Sequence, residues 1–236
     1  MRVAIGSAFR NSAGFHCNRY FQQVNELREQ LRDRGDTLRV IAVEGDSVDD
    51  TRFELMRWAE YLTLSVNIVT RNHGKRVFGS TEEPERMAAL SYVGNGILES
   101  VYETDDVLVY VESDLKWRPE PIIRLIDRLG TSTECGDDVR RIDVIAPLIF
   151  AGEAFYDIWA FRKNGHRFGP FKPYHGELDA TRPTPVDSAG SCLVMRGEVA
   201  RKCRIIDNEA LVGFCRDVWN KGFTVFADAR ERIQHP

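Results

Sequence analysis

The 236-residue sequence lacks several features, and each absence excludes a class of protein. Its five cysteines, Cys17, Cys135, Cys192, Cys203 and Cys215, are odd in number and scattered. With no Cys-x-x-Cys pair, neither a zinc ribbon nor a redox dithiol is indicated, and free thiols in a reducing, cytoplasmic setting are expected. No stretch holds enough uninterrupted apolar residues to cross a bilayer, and Met1-Arg2 leads straight into the short run Val3 to Ile5, so neither an anchor nor a leader is expected. Proline-, serine- or glycine-rich tracts that would mark a linker are also missing, and 236 residues fit one core, which a chain sustains up to roughly 250. A single domain is expected, with residues 1–117 as one half and 118–236 as the other. There is no excess of positive charge: the formal net charge of -4 argues against binding along a phosphate backbone, although a local basic groove is allowed. Finally, the first apolar run ends in Gly6-Ser7-Ala8-Phe9-Arg10-Asn11, without the Gly-x-Gly-x-x-Gly turn of nicotinamide enzymes. A sugar nucleotidyltransferase would want a glycine-rich basic loop at that point, and this chain has only Arg10.

What is present is an alternation. Aliphatic runs at Arg2 to Gly6, Leu38 to Val43, Ser65 to Thr70, Val107 to Glu112 and Ile142 to Pro147 read as strands. Amphipathic stretches at Arg19 to Arg34, stopped by Gly35, then Thr51 to Leu62 and Glu85 to Tyr102, read as helices. Such a series predicts an α/β fold with a mostly parallel sheet covered by helices. The second half loses the alternation. Residues 150–185 are rich in aromatic, basic, Gly and Pro residues; an apolar run at Cys192 to Met195, a helix near Glu209 to Lys221 and a strand at Phe223 to Ala227 follow.

Three segments carry candidate chemistry. Tyr110-Val111-Glu112-Ser113-Asp114 ends an apolar strand in two carboxylates one serine apart, at the strand end where ligands gather in open α/β sheets. Hard divalent cations prefer carboxylate oxygen, and a diphosphate leaving group needs such a cation, so acid-x-Asp is a minimal ligand set. Val43-Glu44-Gly45-Asp46-Ser47-Val48-Asp49-Asp50-Thr51 also follows a strand. Its acids suit a base or ribose, or else Asp49 or Asp50 caps the next helix. At the C-terminal end, His235 makes a divalent-metal site if it returns to the acid-x-Asp loop. The basic stretch Arg162, Lys163, His166, Arg167 and Lys172 suits phosphates or a solvated loop.

In order, the Glu44 to Thr51 segment, the helix with Arg86 and Asn95, and Glu112-Ser113-Asp114 resemble the nucleotide-binding half of GT-A glycosyltransferases, a Rossmann-like mixed sheet flanked by helices. The second half is similar to fungal α-mannosyltransferases of the mannan-polymerase and capsule-associated types. That likeness lies in Phe155-Tyr156-Asp157-Ile158-Trp159-Ala160-Phe161-Arg162, Ser188-Ala189-Gly190-Ser191-Cys192-Leu193-Val194-Met195, Glu209 through Gly213-Phe214-Cys215-Arg216, Gly222-Phe223 and His235. The resemblance implies a retaining transferase using a GDP- or UDP-sugar donor with Mn²⁺ or Mg²⁺. It places Asp114, Glu112 and His235 at the metal, and Ser7, Arg10, Glu44, Asp46, Arg86, Glu112 and Ser113 at the nucleotide sugar. Asp114, Glu209 and Asp187 take catalytic or acceptor-side roles. The acceptor it implies is a glycan or small molecule; a hydroxymethylated base of DNA is the alternative, and a non-catalytic carbohydrate-binding protein of the same fold is the rival. The sequence departs from the family in having Glu112 where Asp is usual, and in lacking the fungal membrane anchor.

Overall fold

A computed structural model describes residues 1–74, 78, 82–135 and 138–236. The first half builds a parallel sheet. Strands β1 (Arg2–Phe9), β2 (Thr37–Glu44), β3 (Val66–Thr70) and β4 (Val107–Val111) alternate with helices α1 (Phe15–Asp33), α2 (Thr51–Leu62) and α3 (Pro84–Glu99). β1 lies between β2 and β4, and β3 forms the outer edge beyond β2, all parallel. Gly35 ends the α1 segment at φ +79°, a left-handed backbone that a side chain would strain. Proline at the first position starts α3, where its missing N–H costs nothing.

Pleating splits the strands between two cores. Val107, Val109 and Val111 pack with Phe21, Val24, Leu27 and Leu55 on the α1 and α2 face. Leu108 and Tyr110 pack with Ile97, Leu98 and Phe214 on the other. Gly6 is needed on that second face, because a Cβ there would stand 2.3 Å from a methyl carbon of Ile97.

The second half departs from a parallel repeat. After β4 come helix α4 (Pro119–Arg128), a hairpin of β5 (Ser132–Cys135) and β6 (Asp138–Arg141), and β7 (Val144–Ala151). Short strands β8 (Ala154–Phe155), β9 (Arg162–Lys163), β10 (His166–Arg167) and β11 (Thr184–Pro185) follow. The chain ends with β12 (Cys192–Arg196), α5 (Gly197–Lys202), α6 (Ala210–Asn220) and β13 (Val225–Gln234). β12 inserts between β4 and β7, antiparallel to both, so the sheet is mixed rather than mostly parallel. Helices α4 and α5 were not expected from the sequence. α4 carries apolar Ile122, Leu125 and Ile126 on one face, but its ten residues begin with two prolines and are too few to show a long period. The third helix stops at Glu99, short of the expected Tyr102, and β7 runs on to Ala151.

The last strand is twice the expected length. β13 runs parallel to β7, with Asp228 opposite Pro147 and then Arg232 opposite Leu148, so Ala229, Arg230 and Glu231 bulge out of the ladder. The bulge is anchored by charge. Buried Asp228 and Glu231 take Arg128 at 2.7 and 2.9 Å, Arg230 reaches Asp228 at 2.8 Å, and Arg124 grips Glu231 at 2.7 Å. Past the bulge, Gln234 exchanges backbone hydrogen bonds of 2.7 and 2.9 Å with Lys116, and the His235 N–H donates to Phe150 O at 2.7 Å. No helix among the described residues is long and apolar enough to cross a membrane.

Candidate active site

The acid-x-Asp loop leaves β4 at the carboxyl edge of the sheet. The Ser113 hydroxyl donates to Ala8 O at 2.7 Å, fixing the loop to the end of β1, and Arg19 Nη2 donates to Asp114 O at 2.5 Å. Between these tethers Asp114 keeps a half-exposed carboxylate. Because β13 bonds to Lys116, two residues further on, it delivers His235 to the same place: His235 Nε2 stands 3.6 Å from Asp114 Oδ2. The imidazole is stacked on Tyr156 at a ring separation of 3.8 Å, which sets its plane.

These two groups meet a simple geometric requirement. Two adjacent ligands of one Mn²⁺ or Mg²⁺ ion, each about 2.1 Å away, lie about 3 Å apart or somewhat more. A separation of 3.6 Å therefore allows shared coordination with little movement. No group of three or more His, Cys, Asp or Glu residues suited to a metal occurs among the described residues. The remaining positions of such an ion would fall to water and to substrate oxygen, as is usual for cations bound with phosphates.

Tyr156 and Glu112, next to this pair, line one of two cavities that meet at Arg86 and Leu90. The smaller, about 200 Å³, is lined by Ala8, Phe9, Arg10, Gly45, His73 and Phe78 and is mostly apolar. Its wall depends on a glycine: a Cβ on Gly45 would lie 1.8 Å from Arg71 O. Beneath it, buried Asp46 accepts the His73 N–H at 2.5 Å. The larger cavity, about 360 Å³, contains Glu112, Tyr156, Asp157, Trp159, Gly190 and Ser191 and is bounded by Ala210 and Leu211.

The larger cavity is acidic at its floor. Glu112 is exposed into it; the protein packed around its carboxyl, with Asp157 and Asp114 as neighbours, raises that carboxyl above the ordinary range, against the hydrogen bond from Ser191 and the charge of Arg86. Asp157 is 8% exposed, and burial pushes it up to about 6 despite the Ser191 hydroxyl, the Ala160 N–H and His235. Its Oδ2 has no hydrogen-bond partner, and Gly190 leaves it room: a Cβ there would come within 2.8 Å. An unmet buried carboxylate oxygen costs about 1–3 kcal/mol or more, which the fold does not recover by internal bonding.

The sequence candidates divide accordingly. Asp114, Glu112 and His235 converge, Arg86 sits where the cavities join, and Arg10 lines the smaller one. Asp46 lies behind the smaller cavity, and Glu44 is buried at the end of β2 with its carboxylate near Ser47 N and Arg52. Ser113 is a tether. Three candidates need correction. Ser7 is fully buried, donates to Val111 O at 2.6 Å and accepts from the Tyr20 hydroxyl at 2.9 Å, on the α1 side of the sheet and away from the two cavities. Asp187 accepts the Gly165 N–H at 2.7 Å and lines a different cavity with Lys163 and Trp219. Glu209 precedes α6 at the rim of the acidic cavity but is ion-paired to Arg216. The residue missed was Asp157. Its sequence signal was its being the one carboxylate among the aromatics of the Phe155 to Arg162 segment that carries the resemblance. Of the basic stretch, Arg167 is paired with Glu82 at 3.0 Å and Lys163 with Glu177 at 3.5 Å.

Comparison with solved structures places this arrangement. A mannosyltransferase from Pyrobaculum calidifontis, solved with GDP-Man and Mn²⁺, superposes with a TM-score of 0.60 at 13% identity over 98% of this chain and 56% of that one. The chain has the GT-A fold. Residues 1–349 of S. aureus TarS with UDP give 0.56 at 11% identity, over 99% of this chain and 60% of that one. A nucleoside-diphosphate-sugar pyrophosphorylase from Vibrio cholerae gives 0.52 at 13% identity, over 98% and 93%. The chain thus spans little more than half the length of the first two of these structures. No family model and no curated protein matches it.

Proposed function

We propose that the chain is a metal-dependent glycosyltransferase that moves a sugar from a nucleotide-sugar donor to an acceptor hydroxyl. The observation that carries this reading is the meeting of Asp114 and His235 at 3.6 Å beside Tyr156 of the larger cavity, produced by a strand that returns 118 residues later in the chain to bond Lys116. A glycosyltransferase needs three things side by side: a slot for a nucleoside, a charge sink for a diphosphate and a polar site for a sugar. The Phe9, Gly45 and Phe78 cavity suits the nucleoside, and Arg86 lies between it and the acidic cavity, where a diphosphate would pass. Glu112 and Asp157 offer acceptor oxygens to sugar hydroxyls.

A divalent ion held by Asp114 and His235 would neutralise charge developing on the leaving diphosphate. Arg86 would orient that diphosphate, Tyr156 would keep the His235 ring in plane, and the carboxylates of the floor would hold the sugar. The resemblance to fungal α-mannosyltransferases favours retention of configuration, a GDP- or UDP-linked hexose and a glycan or small-molecule acceptor. Residues 1–117 would then form the donor half and 118–236 the acceptor half.

A donor screen in Mn²⁺, reading release of free GDP or UDP, tests the proposal without knowledge of the acceptor. Release from one sugar nucleotide, abolished by EDTA, is the expected result. If no sugar nucleotide binds in the presence of Mn²⁺, the reading fails; if one binds but never turns over with any acceptor, the chain is a binding protein of this fold.

A further inference from the structure

Next to the acid-x-Asp loop, sharing no lining residue with either cavity, a groove of about 440 Å³ runs between α1, the start of α4 and the end of β13. Arg19, Lys116, Arg118 and Arg232 line it, and no carboxylate does. The backbone explains the convergence. Lys116 and Gln234 form an antiparallel bridge, and two-residue alternation along each side then brings Lys116, Arg118, Arg232 and Gln234 to one face.

Counter-charge is missing where it would be expected. The chain carries a net charge of -4, and its other arginines include several in ion pairs of 2.5–3.0 Å. None of the four groove cations pairs with a described residue; Arg232 is instead packed over the Phe150 ring at 4.8 Å. Arg19 spends one nitrogen on Asp114 O and leaves buried Nε and Nη1 without an acceptor, and the buried Trp117 Nε1 beside them also lacks one. Four cations without an ion-pair partner line one groove, and the unmet donors of Arg19, which also packs over Phe15 at 5.0 Å, and of Trp117 lie buried in residues of its wall; all call for the same complement, an oxyanion. Unmet charged donors are costly to bury, so the arrangement is an expense to the fold unless a ligand meets it.

We propose that this groove is a binding site for a tetrahedral oxyanion, a phosphate or sulfate group, separate from the donor site. Lys116 and Arg232 supply the charge, and Arg19 connects the site to the carbonyl of Asp114. The anion has two possible sources, a free inorganic ion or a phosphate monoester on a larger molecule. Arg118 is a weaker member because it also borders a cleft carrying Glu26, Glu29, Asp33 and Glu120.

Isothermal titration in EDTA, without nucleotide and at low ionic strength, tests the site with sodium phosphate, sodium sulfate and glycerol phosphate as separate arms. Saturable binding is expected. The exposed pair K116Q/R232Q should weaken it at least about 10-fold, the size of one lost charge-assisted bond, while keeping the melting temperature and the Mn²⁺-dependent nucleotide affinity of the parent. Equal binding of phosphate and glycerol phosphate assigns the site to the free ion; binding of the ester alone assigns it to a phosphorylated molecule. Three results would overturn the proposal: no saturable binding in any arm, parent-like binding by K116Q/R232Q, or one-for-one displacement of the anion by a nucleoside diphosphate. Because the titration contains neither metal nor sugar nucleotide, its result stands apart from that of the donor screen.

Discussion

The two cavities that meet at Arg86 are built differently. The smaller lies at the ends of β1 and β2, successive strands of a regular repeat, and is apolar. The larger is assembled from the loop after β4, the irregular run around Asp157 and the turn before β12, and is acidic. Regular strand ends give a slot whose shape follows from backbone geometry, as Gly45 against Arg71 illustrates. The acidic cavity instead depends on contacts between distant segments, held by charge pairs and a returning strand, so its chemistry is more easily disturbed.

Asp114→Ala separates the two most sharply. Turnover should fall about 100-fold or more, since several kcal/mol of charge stabilisation depend on the ion, while a free nucleoside should still bind the smaller cavity. Nucleotide release and nucleoside titration, measured side by side, check both halves of this statement. Parent-like turnover in EDTA would remove the metal from the account. Next in size is Glu231→Ala. It removes the partner of half-exposed Arg124 and one of the two partners of Arg128, which keeps Asp228, so the lost charge-assisted bonds cost about 1–3 kcal/mol. Denaturant unfolding should register that loss.

His235→Ala should weaken Mn²⁺ binding about 10-fold or more with little change in melting temperature, because the ring stacks on Tyr156 but closes no core. Unchanged Mn²⁺ affinity would show that the returning strand brings no ligand. The smallest effect has the opposite sign. Asp157 ionises at about 6 in the folded chain against an ordinary value of 3.8, so between these values the folded state holds a proton that the unfolded state has lost. Stability therefore declines as pH rises through that window, and the penalty is full above it. Asp157→Asn should stabilise the fold by about 1–2 kcal/mol at pH 7.5 and by nothing below pH 3.8. A variant less stable than the parent at pH 7.5 would show that Asp157 is a structural group.

The same contrast explains what the sequence disclosed. β1 to β4 were legible as short aliphatic runs and α1 to α3 as the amphipathic stretches between them, and α2 runs from Thr51 to Leu62 as expected. The place of Glu112 and Asp114 just past a strand was legible because an apolar run precedes them. Asp157 was not, because no period runs through residues 150–185 and its importance comes from an unmet oxygen beside Gly190, a property of the folded neighbourhood. Ser7 misled for the converse reason. Its position after an apolar run suited a ligand, but pleating turns it toward Tyr20.

The bulge in β13 makes the chain unequally tolerant of changes in length. Ala229, Arg230 and Glu231 already stand outside the ladder, so a residue gained or lost among them alters the size of a loop that β7 does not count. Beyond Arg232 every residue is counted. There a one-residue deletion shifts the strand by about 3.3 Å and exchanges its two faces, turning the imidazole away from Asp114 and Tyr156. A change of length at Ala229 should therefore be tolerated far better than one beyond Arg232, while loss of Arg230 or Glu231 also removes an anchor of the bulge; a deletion scan of residues 229–235 would locate the boundary.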